Sequence, residues 1–399
     1  MRGIVVGLGI AGAAVATAGC TSAETSEDAN AAATEAAEVA PPAGLDALAA
    51  DIVARPNISG FGLAKIDDGE TVWTRYYGEQ SDGVPVTERT AFNTASVAKT
   101  MLAETVLRLV SQGRMTLDDP IHAHVSHPDL ADDPRYEMLT PRIILSHQAG
   151  LLNWPHNYDD GRLAFIDEPG NGEIHYSGAA IELLADYLQA RFETDYPTLV
   201  REVLLTPLGI TEISVSREPW LEGRVPHPVG GDGTVYPPFT RSASGSLIEV
   251  GETSAADNLY ATVPAYANFL TALMADDGLS PELQAERARL HSSSDGELGY
   301  ACIAEGPDCP DPIGYGVGWG LFGEPDRMVL NHGGNDFGEH AQVYFAPETG
   351  DGLVMFMNGG GAFPAGIEVL EMVEPDLLMA KHFRALINKM QEGEDTSGE

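Results

Sequence analysis

Four consecutive residues, Ser96-Val97-Ala98-Lys99, are the first candidates for chemistry in this sequence. A serine hydroxyl is a poor nucleophile until a base takes its proton. Residues three apart on a helix share a face, so Ser96 and Lys99 can meet. A serine at a helix start also sits in the positive field of the N-terminus, which favours negative charge developing on a reacting oxygen. A lysine buried beside it can act as its base. The pair therefore suits covalent acyl transfer. A capping serine followed by a solvated lysine would give the same letters, so the spacing alone is a weak signal.

Other reactive residues cluster less convincingly. His122, His124 and His127 lie together in an apparent loop without a defined partner set, so no metal is expected. Cys302 and Cys309 lie in a Gly/Pro/Asp-rich stretch and could pair as a loop disulfide outside the cytoplasm. Gly7 to Gly12 spells a formal dinucleotide fingerprint, but it lacks the strand–turn–helix context and is rejected. A G-x-S-x-G elbow is missing, which argues against an α/β-hydrolase.

The elements that must position Ser96 and Lys99 follow from periodicity. Leu102, Val106, Leu109 and Val110 line one face of a helix expected from Ser96 to Gln112, with Gly113 ending it. Leu45, Leu48, Ile52 and Val53 have helical spacing. Phe61 to Tyr77 reads as a hairpin turning at Asp67-Asp68-Gly69. Ile181–Phe192, Tyr196–Leu205 and Ala261–Met274 read as helices. Strands are expected at Gly316–Leu321, Met328–His332, Ala341–Phe345 and Gly352–Asn358, followed by a mainly helical Met372–Met390. Strands thus open and close the chain, and helices fill the middle. The expected fold is α+β: one antiparallel sheet built from both chain ends, flanked by helices, with a mainly helical subdomain inserted at roughly 115–250.

Phe92-Asn93-Thr94-Ala95-Ser96-Val97-Ala98-Lys99-Thr100, Leu117-Asp118-Asp119-Pro120 and Thr140 to Leu151 occur in an order that resembles the serine β-lactamase and penicillin-binding-protein superfamily. The likeness is to its class C-like branch, with D-alanyl-D-alanine carboxypeptidases, D-aminopeptidases and esterases. It covers roughly Gly44 to Asn358. It implies a β-lactamase-like fold and a Ser96 acyl-enzyme. By the same resemblance Tyr176 is the base that deprotonates Ser96, aided by the Lys99 ammonium, and later protonates the leaving group. The family's Tyr-x-Asn is Tyr176-Ser177-Gly178 here, so one amide is missing. The third motif becomes His332-Gly333-Gly334, a His-x-Gly form. Asn335 and Ser96 would then supply the oxyanion amides. His332 would offer a hydrogen bond, or a charge when protonated, to the substrate. His147 matches a packing position. No cofactor is implied. The function expected is hydrolysis of an ester, amide or D-amino-acid peptide. A class C-type β-lactamase and a non-catalytic penicillin-binding-like lipoprotein are the alternatives.

The bulk of the chain fits an exported enzyme. Of 399 residues, 60 are Asp or Glu and 22 Lys or Arg, a formal net charge of -38. Such a surface repels nucleic acid and anionic lipid. The partner expected is a small-molecule or peptide substrate. Residues 1–20 read as a signal peptide ending in Thr17-Ala18-Gly19-Cys20, a lipobox-like end with Cys20 as lipidation site. Residues 21–43 read as an acidic flexible linker and 44–399 as the hydrolase domain. A periplasmic or cell-envelope location follows, with membrane contact only through the lipid.

Overall fold

The computed structural model describes residues 39–396, apart from 276–277, 295–299 and 304–305. The signal-like segment, Cys20 and most of the expected linker lie outside the described residues.

Helix α1 (Leu45–Val53) precedes a hairpin of β1 (Gly60–Asp67) and β2 (Glu70–Ser81), with a short β3 (Val84–Pro85). The hairpin turns at Asp68 and Gly69, whose φ values of 49° and 75° suit the mirror-image turn that a right-twisted hairpin needs. β4 (Ala91–Asn93) leads to a single 3-10 turn, Ala95–Val97, and then α2 (Ala98–Ser111). The next stretch carries α3 (Pro141–Leu145), α4 (Gly178–Phe192), α5 (Tyr196–Val200) and β5 (Ile213–Ser214). β6 (Tyr260–Thr262), α6 (Val263–Met274) and α7 (Pro281–Arg287) follow. The chain closes with β7 (Ile313–Tyr315), β8 (Gly320–Gly323), β9 (Met328–Asp336), β10 (Glu339–Ala346), β11 (Asp351–Asn358), α8 (Ala362–Val373) and α9 (Leu378–Thr396).

The main sheet runs β3-β2-β1-β11-β10-β9-β8-β7, and β4-β6-β5 form a smaller one. β1 pairs antiparallel with β11, Gly60 opposite Asn358, so both chain ends build the sheet as expected. Alternation along β11 decides the layers. Val354 and Phe356 join the core shared with α2 and α6, while Met355 and Met357 join α1 and α8 on the other face. Buried on both sides, the sheet is the middle layer. α2 is buried around most of its girth rather than along one stripe. Its polar members are satisfied inside. Glu104 accepts from Arg108 at 2.8 Å, Trp319 Nε1 at 3.0 Å and Arg287 at 3.3 Å. A buried carboxylate persists only when paired in this way.

Three boundaries differ from expectation for local reasons. The apolar run Gly316–Leu321 is mostly a turn between β7 and β8: Gly316 donates to the Trp319 carbonyl at 2.8 Å, and Gly318 takes φ 81°. The expected terminal helix is two, α8 and α9, interrupted before Leu378 where Pro375 disfavours helical Glu374. β9 runs on through Asp336, four residues past its expected end. Cys302 and Cys309 are disulfide-bonded. Among the described residues no helix is long and apolar enough to cross a membrane.

Candidate active site

Ser96 sits in the 3-10 turn just before α2. The preceding Ala95 adopts φ 47°, a left-handed conformation that costs a non-glycine residue about 1–2 kcal/mol. Neighbouring hydrogen bonds hold it there. Thr94 donates its N–H and its hydroxyl to the Leu259 carbonyl, at 2.8 and 3.2 Å, and Ala95 N–H donates to Asn93 Oδ1 at 3.3 Å.

One turn on, Lys99 is only 2% exposed. Its ammonium donates to Ser96 Oγ at 3.0 Å and to the Ala256 carbonyl at 2.7 Å, and lies 4.9 Å from the Tyr176 ring centre. The 254–256 loop that aims the carbonyl is itself anchored. Glu182, on α4, accepts from Ser254 Oγ, from Ala255 N–H at 3.3 Å and from Ala256 N–H at 3.1 Å.

Tyr176 is half-buried and stacks on His147, ring centres 4.2 Å apart. His147 Nδ1 accepts from Ser177 N–H at 3.2 Å, and its carbonyl accepts from His175 N–H at 2.7 Å. Burial, then the Lys99 charge, hold His147 well below the usual histidine range. It is a neutral wedge behind Tyr176, which fits the packing role expected.

β9 forms the facing wall. β8 reaches it only as far as Asn331, leaving His332–Asp336 with an open edge. On the other side β9 pairs with β10, and the hairpin closes on Asp336 opposite Glu339. Antiparallel alternation then turns the Asn335 N–H and C=O outward, toward the open edge. Gly334 is required by sterics. A Cβ there would lie 2.1 Å from the Thr94 carbonyl oxygen and 3.2 Å from Ser96 N. Only glycine lets the strand approach the nucleophile turn this closely.

A cavity of about 360 Å³ joins Ser96, Asn153, Tyr176, Gly333 and Asn335. Ser96, Tyr176, Gly333 and Asn335 share this cavity, and Lys99 and Gly334 lie against Ser96, the grouping that the family resemblance implied. His332 does not take the role of a cation. It is 3% exposed, Nδ1 lies 2.7 Å from the Gly333 carbonyl, and Nε2 lies 3.2 Å from the Tyr315 hydroxyl. Burial, then the nearby Lys99 charge, push its pKa down to about 3. It is a neutral brace for the strand. His122, His124 and His127 stay apart from the site, and the described residues contain no metal-ligating cluster.

Sequence motifs missed three residues here. Asn153 Oδ1 accepts from Gly178 N–H at 2.8 Å, and Asn153 lines the cavity beside Tyr176. An amide thus reaches the site from the adjacent loop. The Trp154 ring occupies the space that a side chain at 178 would need: a Cβ there would meet it at 2.6 Å. Glu182 anchors the Lys99 acceptor. Asp257, next to Ala256, is raised to about 7 by burial first and the Asp336 charge second, with Lys99 opposing. None of the three belongs to a periodic or spaced pattern, so only the fold brings them in.

A family model described as Beta-lactamase matches residues 45–370. The chain belongs to this beta-lactamase family. Among curated relatives, Penicillin-binding protein 4 of Amycolatopsis lactamdurans is 26% identical over 307 residues, covering 70% of this chain and 75% of its own. Esterase EstB of Burkholderia gladioli is 28% identical over 296 residues, covering 63% and 72%. The fold matches a D-amino acid amidase from Ochrobactrum anthropi with TM-score 0.65 and 21% identity, over 84% of this chain and 99% of that one. Ser96, Lys99, Tyr176, Gly178 and His332 all lie within the matched residues.

Proposed function

We propose that this protein is a serine hydrolase that forms a covalent acyl-enzyme on Ser96. The observation that carries the reading is the 3.0 Å contact between the buried Lys99 ammonium and Ser96 Oγ, in a cavity also lined by Tyr176 and Asn335. In this reading Tyr176, whose ring centre lies 4.9 Å from the Lys99 ammonium, takes the proton as Ser96 Oγ attacks the substrate carbonyl. The carbonyl oxygen becomes an oxyanion held by the Ser96 and Asn335 N–H groups. As the tetrahedral intermediate collapses, the bond to the leaving group breaks and Tyr176 returns the proton to it. Water, deprotonated by the same residue, then attacks the ester carbonyl; the acyl–Oγ bond breaks, Tyr176 returns the proton to Ser96 Oγ, and the acid is released.

The substrate class is an ester, an amide or a D-amino-acid peptide. The named activities of the relatives support this range: an esterase and a D-amino acid amidase. The neutral, buried His332 weighs against a β-lactamase that needs a permanent cation on this strand. The Asn153 amide at the cavity weighs against the non-catalytic alternative that Gly178 suggested. Export to the cell envelope, through the signal-like residues 1–20 and Cys20, would suit a substrate derived from peptidoglycan. Turnover of 4-nitrophenyl acetate tests the reading. The expected result is hydrolysis by the wild type and a loss of at least about 1,000-fold in kcat for Ser96→Ala, in line with removal of a catalytic nucleophile. Equal rates in both would overturn it.

A further inference from the structure

The Asn335 amide has to be aimed, and the sheet ladder does little to aim it. β8 reaches β9 only as far as Asn331. On the other side Asn335 is directly opposite His340 of β10, one pair in from Asp336 and Glu339. Pairs that exchange both backbone bonds alternate in an antiparallel ladder with pairs that exchange none. A two-residue loop, Phe337-Gly338, joins the strands, which makes Asp336 and Glu339 a bonded pair. Asn335 and His340 therefore exchange no backbone bond. The peptide group whose N–H would hold the oxyanion is free of the ladder on both sides.

A side-chain bond ties this residue down instead. His340 Nδ1 lies 2.7 Å from Asn335 Oδ1. Opposed residues share a face of the sheet. Ala341, Val343 and Phe345 join the core on the α2 side, and Tyr344 and Ala346 the core on the other, so His340 is on the face away from α2. There it is 1% exposed, with the Phe363 ring of α8 edge-on at 5.5 Å. The surroundings fix its tautomer. A carboxamide oxygen only accepts, so Nδ1 carries the hydrogen. Nε2 is buried against Gly366 of α8 and has no hydrogen-bond partner among the described residues. A proton there would be a buried donor without an acceptor. Burial accordingly pushes the His340 pKa down to about 4, and the ring is neutral at pH 7. Gly366 is what makes room for it. A Cβ at 366 would meet Nε2 at 2.7 Å and Cδ2 at 2.8 Å.

Resting on the hydrolase reading above, we propose that His340 is a positioning residue for the oxyanion hole: its Nδ1–H, bonded to the Asn335 side chain, sets the direction of the Asn335 N–H. His340 itself touches neither the substrate nor Ser96. Its effect is felt where negative charge gathers on the reacting oxygen, in the tetrahedral state rather than in the bound substrate. Gly366 belongs to the same device, because it lets the ring sit at this depth behind the hairpin.

The test measures hydrolysis of 4-nitrophenyl acetate and inhibition by phenylboronic acid, which mimics the tetrahedral state on the nucleophile. The proteins are wild type, His340→Leu, His340→Asn, Asn335→Ala, Gly366→Ala and the double variant His340→Leu/Asn335→Ala, each checked for folding by urea titration. His340→Leu is expected to lower kcat by about 10–100-fold, short of the about 100–1,000-fold for outright removal of an oxyanion donor, with KM within about twofold and the boronic acid weakened in step with kcat. Asparagine places an amide N–H where Nδ1 stands, so His340→Asn recovers most of that loss. Asn335→Ala removes the acceptor from an exposed residue and matches His340→Leu, and the double variant loses no more than either single one. Asn335→Ala carries the test if His340→Leu does not fold. Gly366→Ala, outside the cavity lining, lowers kcat by displacing the ring. Wild-type kcat in folded His340→Leu or in Asn335→Ala overturns the positioning role and leaves the hydrolase. Equal losses in His340→Leu and His340→Asn, or a loss confined to KM, overturn it as well. A wild type with no turnover and no fluorophosphonate adduct overturns the hydrolase and the positioning role together.

Discussion

Replacing Gly178 by alanine separates two opposing forces. Gly178 opens α4, and its φ is not in the left-handed region, so alanine suits the backbone. Helix propensity alone favours alanine by about 0.5–1 kcal/mol. Against that, the new methyl would meet three Trp154 ring atoms at 2.6, 2.7 and 3.0 Å. Overpacking of this kind costs about 1–3 kcal/mol. Any shift also strains the 2.8 Å bond from Gly178 N–H to Asn153 Oδ1, worth about 1 kcal/mol. The clash should win by about 1–2 kcal/mol. Urea unfolding of the wild type, Gly178→Ala, Trp154→Ala and the double variant reads this directly. With Trp154 truncated, Gly178→Ala should become neutral or stabilising, which gives a measurable coupling between the two sites. The reasoning is refuted if Gly178→Ala stabilises the protein with Trp154 intact.

Three further perturbations test separate parts of the site. Gly334→Ala puts a Cβ 2.1 Å from the Thr94 carbonyl, so it should abolish ester hydrolysis while far-ultraviolet circular dichroism stays native-like; near-wild-type turnover would contradict the close approach. Glu182→Gln replaces a carboxylate accepting from Ser254, Ala255 and Ala256, and should lower kcat by about 10–100-fold with little change in KM, the scale for a supporting group that positions a functional one. A change in KM alone would show that the loop does not set Lys99. Asp257 keeps its proton up to about pH 7 in the fold, against an ordinary value of 3.8. The folded state therefore binds more protons between those values, and this stability is present below about pH 4 and lost as pH rises through about 7. Asp257→Asn should flatten that fall, so its unfolding midpoint should gain on the wild type between pH 5 and pH 8; parallel curves would refute the assignment.

Much of this arrangement was legible in residue order. The hairpin turn at Asp68-Gly69, the central helix from Ala98 and the late strands were readable because their apolar periods and turn residues act locally. Ser96, Lys99, Tyr176 and the His332–Asn335 stretch were readable because each lies in a short motif. What local pattern could not carry was partnership across the fold. Whether His332 is charged depends on burial among Tyr315, Gly333 and Lys99, which lie on different elements. Asn153 at the place left by Gly178, and Glu182 behind Ala256, are contacts between loops and helices far apart in sequence. The run Gly316–Leu321 misled for another reason: its apolar content comes from a turn whose residues are buried against other elements.

The central claim is that Ser96 is the nucleophile. Intact mass after incubation with a fluorophosphonate, and separately with penicillin, tests it most directly, with Ser96→Ala alongside. The account predicts one fluorophosphonate adduct on the wild type and none on Ser96→Ala, with any penicillin adduct also lost in the variant. An adduct that persists in Ser96→Ala, or no adduct on folded wild-type protein with either reagent, would contradict it.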